Sequence, residues 1–200
     1  VVIKKFDRKF SKNHYLDFMK ILSKKISARF IFVSNNFKFG KQRKGNVGIL
    51  KKYSKKFNFV TIVTKPLKIH GSIVSSSKIR NFITFGKIGK ANKLLGRSWS
   101  VEGTVKKGDQ RGRLIGFPTC NIKLKDYIIP KLGVYSVLVK INNQNKSFKG
   151  IANLGYRPTF GGKELLLEVN IFGFKKNIYN EKIKVFFKRF IRPEKKFKNL

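Results

Sequence analysis

The chain has 200 residues and a formal net charge of +38, from 47 Lys and Arg against 9 Asp and Glu. Its 20 Phe and 41% hydrophobic content exclude a basic disordered tail, which lacks the apolar side chains to offset chain entropy, and no apolar run approaches the roughly 18 residues of a membrane helix. A lone cysteine, Cys120, excludes an intrachain disulfide and favours a reducing, cytoplasmic setting, while the length admits one domain or two small ones.

The first 95 residues alternate strand-like and helix-like stretches. Val1 to Ile3 is β-branched; from Ser11, the apolar positions Tyr15, Phe18, Met19, Leu22 and Ile26 predict a helix. Phe30 to Val33 reads as a strand, Asn35 to Asn46 as a loop, Val47 to Phe57 as a second helix and Phe59 to Thr64 as a third strand. Ser75 to Phe85 opens on serines and stops at Gly86, the pattern of a capped helix. Alternating strands and helices predict βαβ units with a parallel sheet. Three strands are few for such a sheet, and no initiator Met is present, so an N-terminal truncation is expected.

Beyond Gly96 the strand-like runs follow one another: Ser100 to Lys107, Gly133 to Ile141, Lys146 to Leu154, Leu165 to Phe172 and Ile183 to Ile191. Turn residues separate them, as at Asn142 to Asn145 and Phe160 to Gly162. This spacing predicts an antiparallel barrel or sandwich, with a boundary near Leu95 to Trp99.

Three segments could carry chemistry. In Gly108 to Asn121, Gly108, Gly112 and Gly116 allow backbone amides to approach an anion, with Arg111 and Arg113 beside them. If Thr119 to Ile122 is a strand, Thr119 and Asn121 face the same way and offer two hard oxygens to a Mg²⁺. A glycine-rich hairpin followed by Pro-Thr accounts for the same residues without chemistry. Glu168 interrupts the apolar run Leu165 to Phe172, where an unpaired carboxylate is costly to bury. It reads as a general base, as the partner of one of the many Lys, or as an outward-facing edge residue. Ser75, Ser76, Ser77, Lys78 and Arg80 gather hydroxyls, helix-terminal amides and cations into an anion site, although an N-cap serine cluster explains part of this. His14 and His70 lie in separate segments and read as incidental.

The basic surplus suggests a nucleic-acid-binding protein as the alternative reading, because clustered cations release counterions from phosphate backbones. Yet Lys outnumbers Arg by 37 to ten, and the halves carry +23 and +15. An AT-rich coding sequence produces the same excess of Lys, Asn, Ile and Phe, so no specific nucleic-acid partner is expected.

The motifs at Gly108 to Ile122, Pro130 to Tyr135, Gly150 to Phe160, Leu167 to Val169 and Phe190 to Phe197 together resemble the riboflavin kinase domain of bacterial bifunctional riboflavin kinase/FAD synthetases. Upstream, Phe6-Asp7 with Phe10, the Asn36 to Gly40 loop and Ser75 to Arg80 resemble part of the family's FMN adenylyltransferase domain. The resemblance implies a partial Rossmann-like α/β nucleotidyltransferase domain over 1–95. It implies a six-stranded antiparallel barrel over 96–200, a riboflavin kinase domain without its final helix. Gly108, Arg111, Gly112, Arg113 and Gly116 would hold ATP phosphates, and Thr119 and Asn121 would hold Mg²⁺. Glu168 would accept the proton of the riboflavin 5′-hydroxyl, and Arg192 and Glu194 would help order the flavin. Ser76, Ser77 and Arg80 match the adenylyltransferase phosphate site, with Ser77 where the family has Thr. The family's His-x-Gly-His loop is missing, and Asn35-Asn36 stands where an acid is usual. The expectation is an internal fragment, truncated at both ends, that forms FMN but not FAD. Riboflavin, FMN and ATP are its expected partners, with no membrane association and a monomeric state.

Overall fold

The computed structural model describes residues 3–69, 71–108, 118–124, 126–142, 144, 146–159, 162–174 and 176–195. By internal contacts the chain divides into two compact units, Val1–Ile73 and Val74–Leu200.

In the first unit, Asp7 caps α1 (Arg8–Ser11), its carboxylate accepting from the Phe10 amide at 2.8 Å. A second helix, α2 (Tyr15–Lys20), runs into a π-type turn over Ile21–Lys25. The single helix expected from Ser11 is therefore broken. The Asn13 carbonyl is taken by the Lys41 amide at 2.7 Å instead of continuing a helical ladder, and His14 caps α2 by accepting from Leu16 N at 3.3 Å. The apolar periodicity still defines the inward face, with Met19 fully buried beside Tyr15 and Phe18.

Next come β1 (Phe30–Ser34) and a small hairpin of β2 (Lys38–Phe39) and β3 (Gly45–Asn46) within the expected loop. Asn46 then caps α3 (Val47–Tyr53), accepting from Ile49 N at 3.0 Å. β4 (Val60–Thr64) pairs in parallel with β1, in register from Phe30 opposite Val60 to Ser34 opposite Thr64. This is the α/β arrangement that alternating strands and helices predict. A two-residue pair, β5 (Lys68–Ile69) and β6 (Ser72–Ile73), ends the unit. Ile3 is exposed and belongs to no strand, having no strand paired beside it among the described residues. Val1, Val2 and His70 lie outside the described residues.

The second unit opens with α4 (Ser76–Thr84), capped by the Ser75 hydroxyl and stopped at Gly86 as its sequence predicts, and α5 (Ile88–Leu95). Six strands follow: β7 (Ser100–Thr104), β8 (Thr119–Lys123), β9 (Gly133–Ile141), β10 (Ser147–Thr159), β11 (Gly162–Ile171) and β12 (Lys182–Arg192). They form one antiparallel sheet in the order β7-β12-β9-β10-β11-β8. A bridge between Lys106 and Asn121 draws the ends together, so the sheet nearly closes into a barrel. Of the expected turns, Asn143, Asn145, Phe160 and Gly161 lie outside the described residues.

Period-two alternation drives this unit. Val137, Val139 and Ile141 on β9, Leu167, Val169 and Ile171 on β11, and Ile183, Val185 and Phe187 on β12 share one core. Ile83 of α4 and Ile88 and Ala91 of α5 belong to the same cluster. Asn92 fastens α5 to the barrel: its amide donates to the Phe187 carbonyl at 2.9 Å and accepts from Trp99 N at 2.7 Å. No helix among the described residues is long and apolar enough to cross a membrane.

Candidate active site

Strand register brings the separated polar residues of the sequence into two rows. Glu168 on β11 lies opposite Asn121 on β8 and Asn153 on β10; Asn170 lies opposite Thr119 and Ile151. Side chains directly opposite in an antiparallel pair share a face. Leu167 and Val169 are fully buried in the core, so Glu168 and Asn170 take the other side of β11.

Two buried acceptors flank Glu168. The side-chain oxygens of Asn121 and Asn153 have no hydrogen-bond partner among the described residues. Such an atom costs about 1–3 kcal/mol unless a ligand satisfies it. Gly108 sits directly over Asn121: a Cβ there would lie 1.7 Å from the Asn121 amide nitrogen. Asn170 donates to the Pro118 carbonyl at 2.8 Å and thereby fixes the approach to Thr119.

Among the described residues, Glu168 is paired with an arginine and not with a lysine. Its Oε2 accepts from Arg157 Nη2 at 2.6 Å, while Arg157 Nη1 donates to Glu194 Oε1 at 2.6 Å. Asn153 Nδ2 donates to the same Glu194 oxygen at 3.1 Å. The hydrogen bond to Glu168 pushes the Arg157 pKa up, with Glu194 adding to the effect and desolvation opposing it. The guanidinium between the two acids stays charged.

Two cavities meet at Thr119. One, of about 350 Å³, is lined by Thr119, Asn153, Arg157, Glu168, Arg192 and Glu194, among others. The other, of about 230 Å³, has a mixed wall: Val105, Phe174, Ile178 and Tyr179 give it apolar and aromatic surface, and Thr119, Lys176 and Asn177 give it polar groups. Cys120 lines this second cavity, but burial pushes its thiol up to about 12 from an ordinary 9.0, and its Sγ donates to the Val169 carbonyl at 3.1 Å. It is a protonated core group and no nucleophile. Among the described residues, no group of three or more His, Cys, Asp and Glu is placed to hold a metal. A cation here would need the neutral oxygens of Thr119 and Asn121, a donor set suited to a hard ion that keeps waters and phosphate oxygens. The orphaned Asn121 oxygen fits that role.

The family model for riboflavin kinase matches residues 95–200, and that for FAD synthetase matches residues 1–78. The chain belongs to the riboflavin kinase family. A bifunctional riboflavin kinase/FMN adenylyltransferase of Haemophilus influenzae is 37% identical over 198 residues, covering 98% of this chain and 64% of the relative. One from Listeria monocytogenes is 43% identical over 164 residues, covering 81% of this chain and 51% of the relative. A crystal structure from Streptococcus pneumoniae, described as a macrolide-efflux protein, superposes with a TM-score of 0.83 at 33% identity over 98% of this chain and 63% of that one. The chain thus spans less than two thirds of the length of these relatives.

Within the riboflavin kinase barrel, Gly108, Thr119, Asn121, Glu168, Arg192 and Glu194 come from four segments of the sequence; Thr119, Glu168, Arg192 and Glu194 border one cavity, with Gly108 and Asn121 packed together. Arg111, Gly112, Arg113 and Gly116 lie outside the described residues. Ser76, Ser77 and Arg80 are exposed at the start of α4 and line neither cavity. Arg157, Asn153 and Asn170 escaped the reading of the sequence as individual site residues. Arg157 had one available signal: it falls inside the Gly150 to Phe160 motif, in a chain where Arg is scarce beside Lys.

Proposed function

We propose that the chain phosphorylates riboflavin to FMN with ATP. The observation that carries this reading is the position of Thr119, which borders both a cavity walled in part by Phe174, Ile178 and Tyr179 and the cavity that holds Glu168. The first accommodates the adenine of ATP between Phe174, Ile178 and Tyr179; the second accepts the flavin, with its ribityl end toward Glu168.

Phosphoryl transfer depends mainly on positioning and charge neutralisation. Glu168 takes the proton of the 5′-hydroxyl while that oxygen forms its bond to the γ-phosphorus; the bond to the bridging oxygen breaks and ADP leaves. Gly108, and with it Arg111, Gly112, Arg113 and Gly116, serves the ATP phosphates. Thr119 and Asn121 are the residues that would hold Mg²⁺, which when bound neutralises phosphate charge. Arg192 and Glu194 order the flavin side.

Residues 96–200 form the kinase domain in this assignment. Residues 1–95 are the C-terminal part of an FMN adenylyltransferase domain, in which Ser76, Ser77 and Arg80 would serve the phosphates when FMN is adenylylated to FAD by the full-length bifunctional enzyme; the chain as it stands forms FMN but not FAD. The partners are riboflavin, FMN and ATP, in the cytoplasm, with a monomeric chain and no specific nucleic acid or membrane.

The test is Glu168→Ala. A positioned general base contributes about 10²- to 10⁴-fold, so FMN formation, followed by separation of the flavins, is expected to fall by at least ~100-fold with an unchanged circular dichroism spectrum. Activity within tenfold of the unsubstituted chain removes Glu168 from the role.

A further inference from the structure

Arg157 stands between the two acids of the cavity without taking the acid opposite it in the sheet. Its register partner on β11 is Glu164, and Glu164 is bound instead to Lys123 at 2.6 Å. The Arg157 side chain reaches along the sheet, to Glu168 through Nη2 and to Glu194 through Nη1. With its cross-strand partner taken by Lys123, Arg157 is paired at 2.6 Å with each of two acids that do not lie opposite it.

The other end of the bridge has a prepared seat. Asn153, Gly155 and Arg157 alternate along β10 and so present one face. Asn153 donates to the Glu194 carboxylate, and a Cβ on Gly155 would lie 2.5 Å from both of its oxygens. Only a glycine leaves room for the carboxylate at that place. Glu194 is thus held by two side chains over a gap in β10, and its bond to Nη1 orients the guanidinium plane. The fork of Arg157 transmits that orientation to Glu168, whose carboxylate it holds at 2.6 Å. Among the described residues, Arg157 engages only Oε2, leaving Oε1 for a substrate hydroxyl.

We propose that Arg157 is a positioning residue, which aims the Glu168 carboxylate at the reacting hydroxyl by anchoring it through its second nitrogen to the seated carboxylate of Glu194. This rests on the reading of Glu168 as the base. Lysine replaces it only in part, because a single ammonium on a flexible stem lacks two nitrogens in a fixed fork.

The experiment compares steady-state riboflavin phosphorylation by the unsubstituted chain with that by Arg157→Met, Arg157→Lys, Glu194→Gln and Glu168→Gln, each checked for folding by thermal melting. Displacing a reacting group by about 1 Å costs roughly 100-fold. Arg157→Met is therefore expected to lose about that factor in kcat while KM for riboflavin changes by less than about threefold. Millimolar guanidinium is expected to restore activity at least tenfold to Arg157→Met and not to Glu168→Gln. Arg157→Lys and Glu194→Gln are expected to show intermediate kcat values. Rescue distinguishes aiming from a structural role, since added guanidinium cannot mend a misfolded barrel.

If Glu168→Gln is inactive while Arg157→Met keeps kcat within threefold of the unsubstituted chain, the positioning role is overturned and the base assignment stands. Loss in Arg157→Met without guanidinium rescue, or expressed only in KM, overturns it as well. If Glu168→Gln keeps full activity, or the unsubstituted chain makes no FMN, the underlying reading fails and this proposal with it.

Discussion

Residues of small or neutral side chain decide the geometry of the site. Gly108 owes its identity to Asn121, whose amide occupies the space that a Cβ would fill. Gly108→Ala must push the Asn121 side chain away from its present position. Loss of one well-placed polar contact is worth about 1 kcal/mol, and every ~1.4 kcal/mol is tenfold in affinity. The expected result is a KM for Mg-ATP raised by roughly five- to tenfold with the KM for riboflavin unchanged, read from initial rates at varied ATP. An unchanged KM for Mg-ATP would separate Asn121 from the nucleotide. Glu168 was legible in the sequence as a lone acid in an apolar strand; Arg157 as its partner was not. Eleven residues separate the two along the chain, and only the diagonal reach of an arginine across β10 and β11 joins them.

At the scale of elements, the strongest local signals and the observed strands coincide because period-two burial is written residue by residue. Gly133–Ile141 is recovered whole, while Thr119–Lys123 stood in the sequence only as a condition on Thr119 and Asn121 and was not among the five strands expected there. The helix expected from Ser11 breaks because a distant amide, that of Lys41, takes the carbonyl of Asn13. Helix α5 shows how an element is tied to the sheet by one side chain: Asn92 satisfies Trp99 N and the Phe187 carbonyl at once. Asn92→Ala leaves both groups without that partner, and an unsatisfied buried group costs about 1–3 kcal/mol. Equilibrium urea unfolding followed by Trp99 fluorescence is expected to show a loss of about 2 kcal/mol; a change below ~0.5 kcal/mol would deny Asn92 this fastening role.

For the whole molecule, the +38 charge is a bulk property, while the acids are local ones. Three of the nine acids, Glu164, Glu168 and Glu194, are in ion pairs on or beside β10 and β11, and two of them border the candidate site. A diffuse lysine excess binds any polyanion through counterion release, with affinity falling steeply as salt rises. Retention on duplex DNA is expected to vanish with added salt and to be the same for unrelated sequences. A preference of about 10³-fold for one sequence, the lower bound of specific recognition, would restore nucleic acid as a partner. By itself the sequence determined the family and the succession of an α/β segment and a six-stranded barrel, and it singled out Gly108, Thr119, Asn121 and Glu168 as candidates, because these reside in local patterns and ordered motifs. The tertiary structure alone decided that Asn121, Glu168 and Asn153 form one row, that two cavities share Thr119, and that Arg157 joins Glu168 to Glu194. Those relations depend on strand order and register, which follow from how the whole barrel closes and leave no mark at any single position.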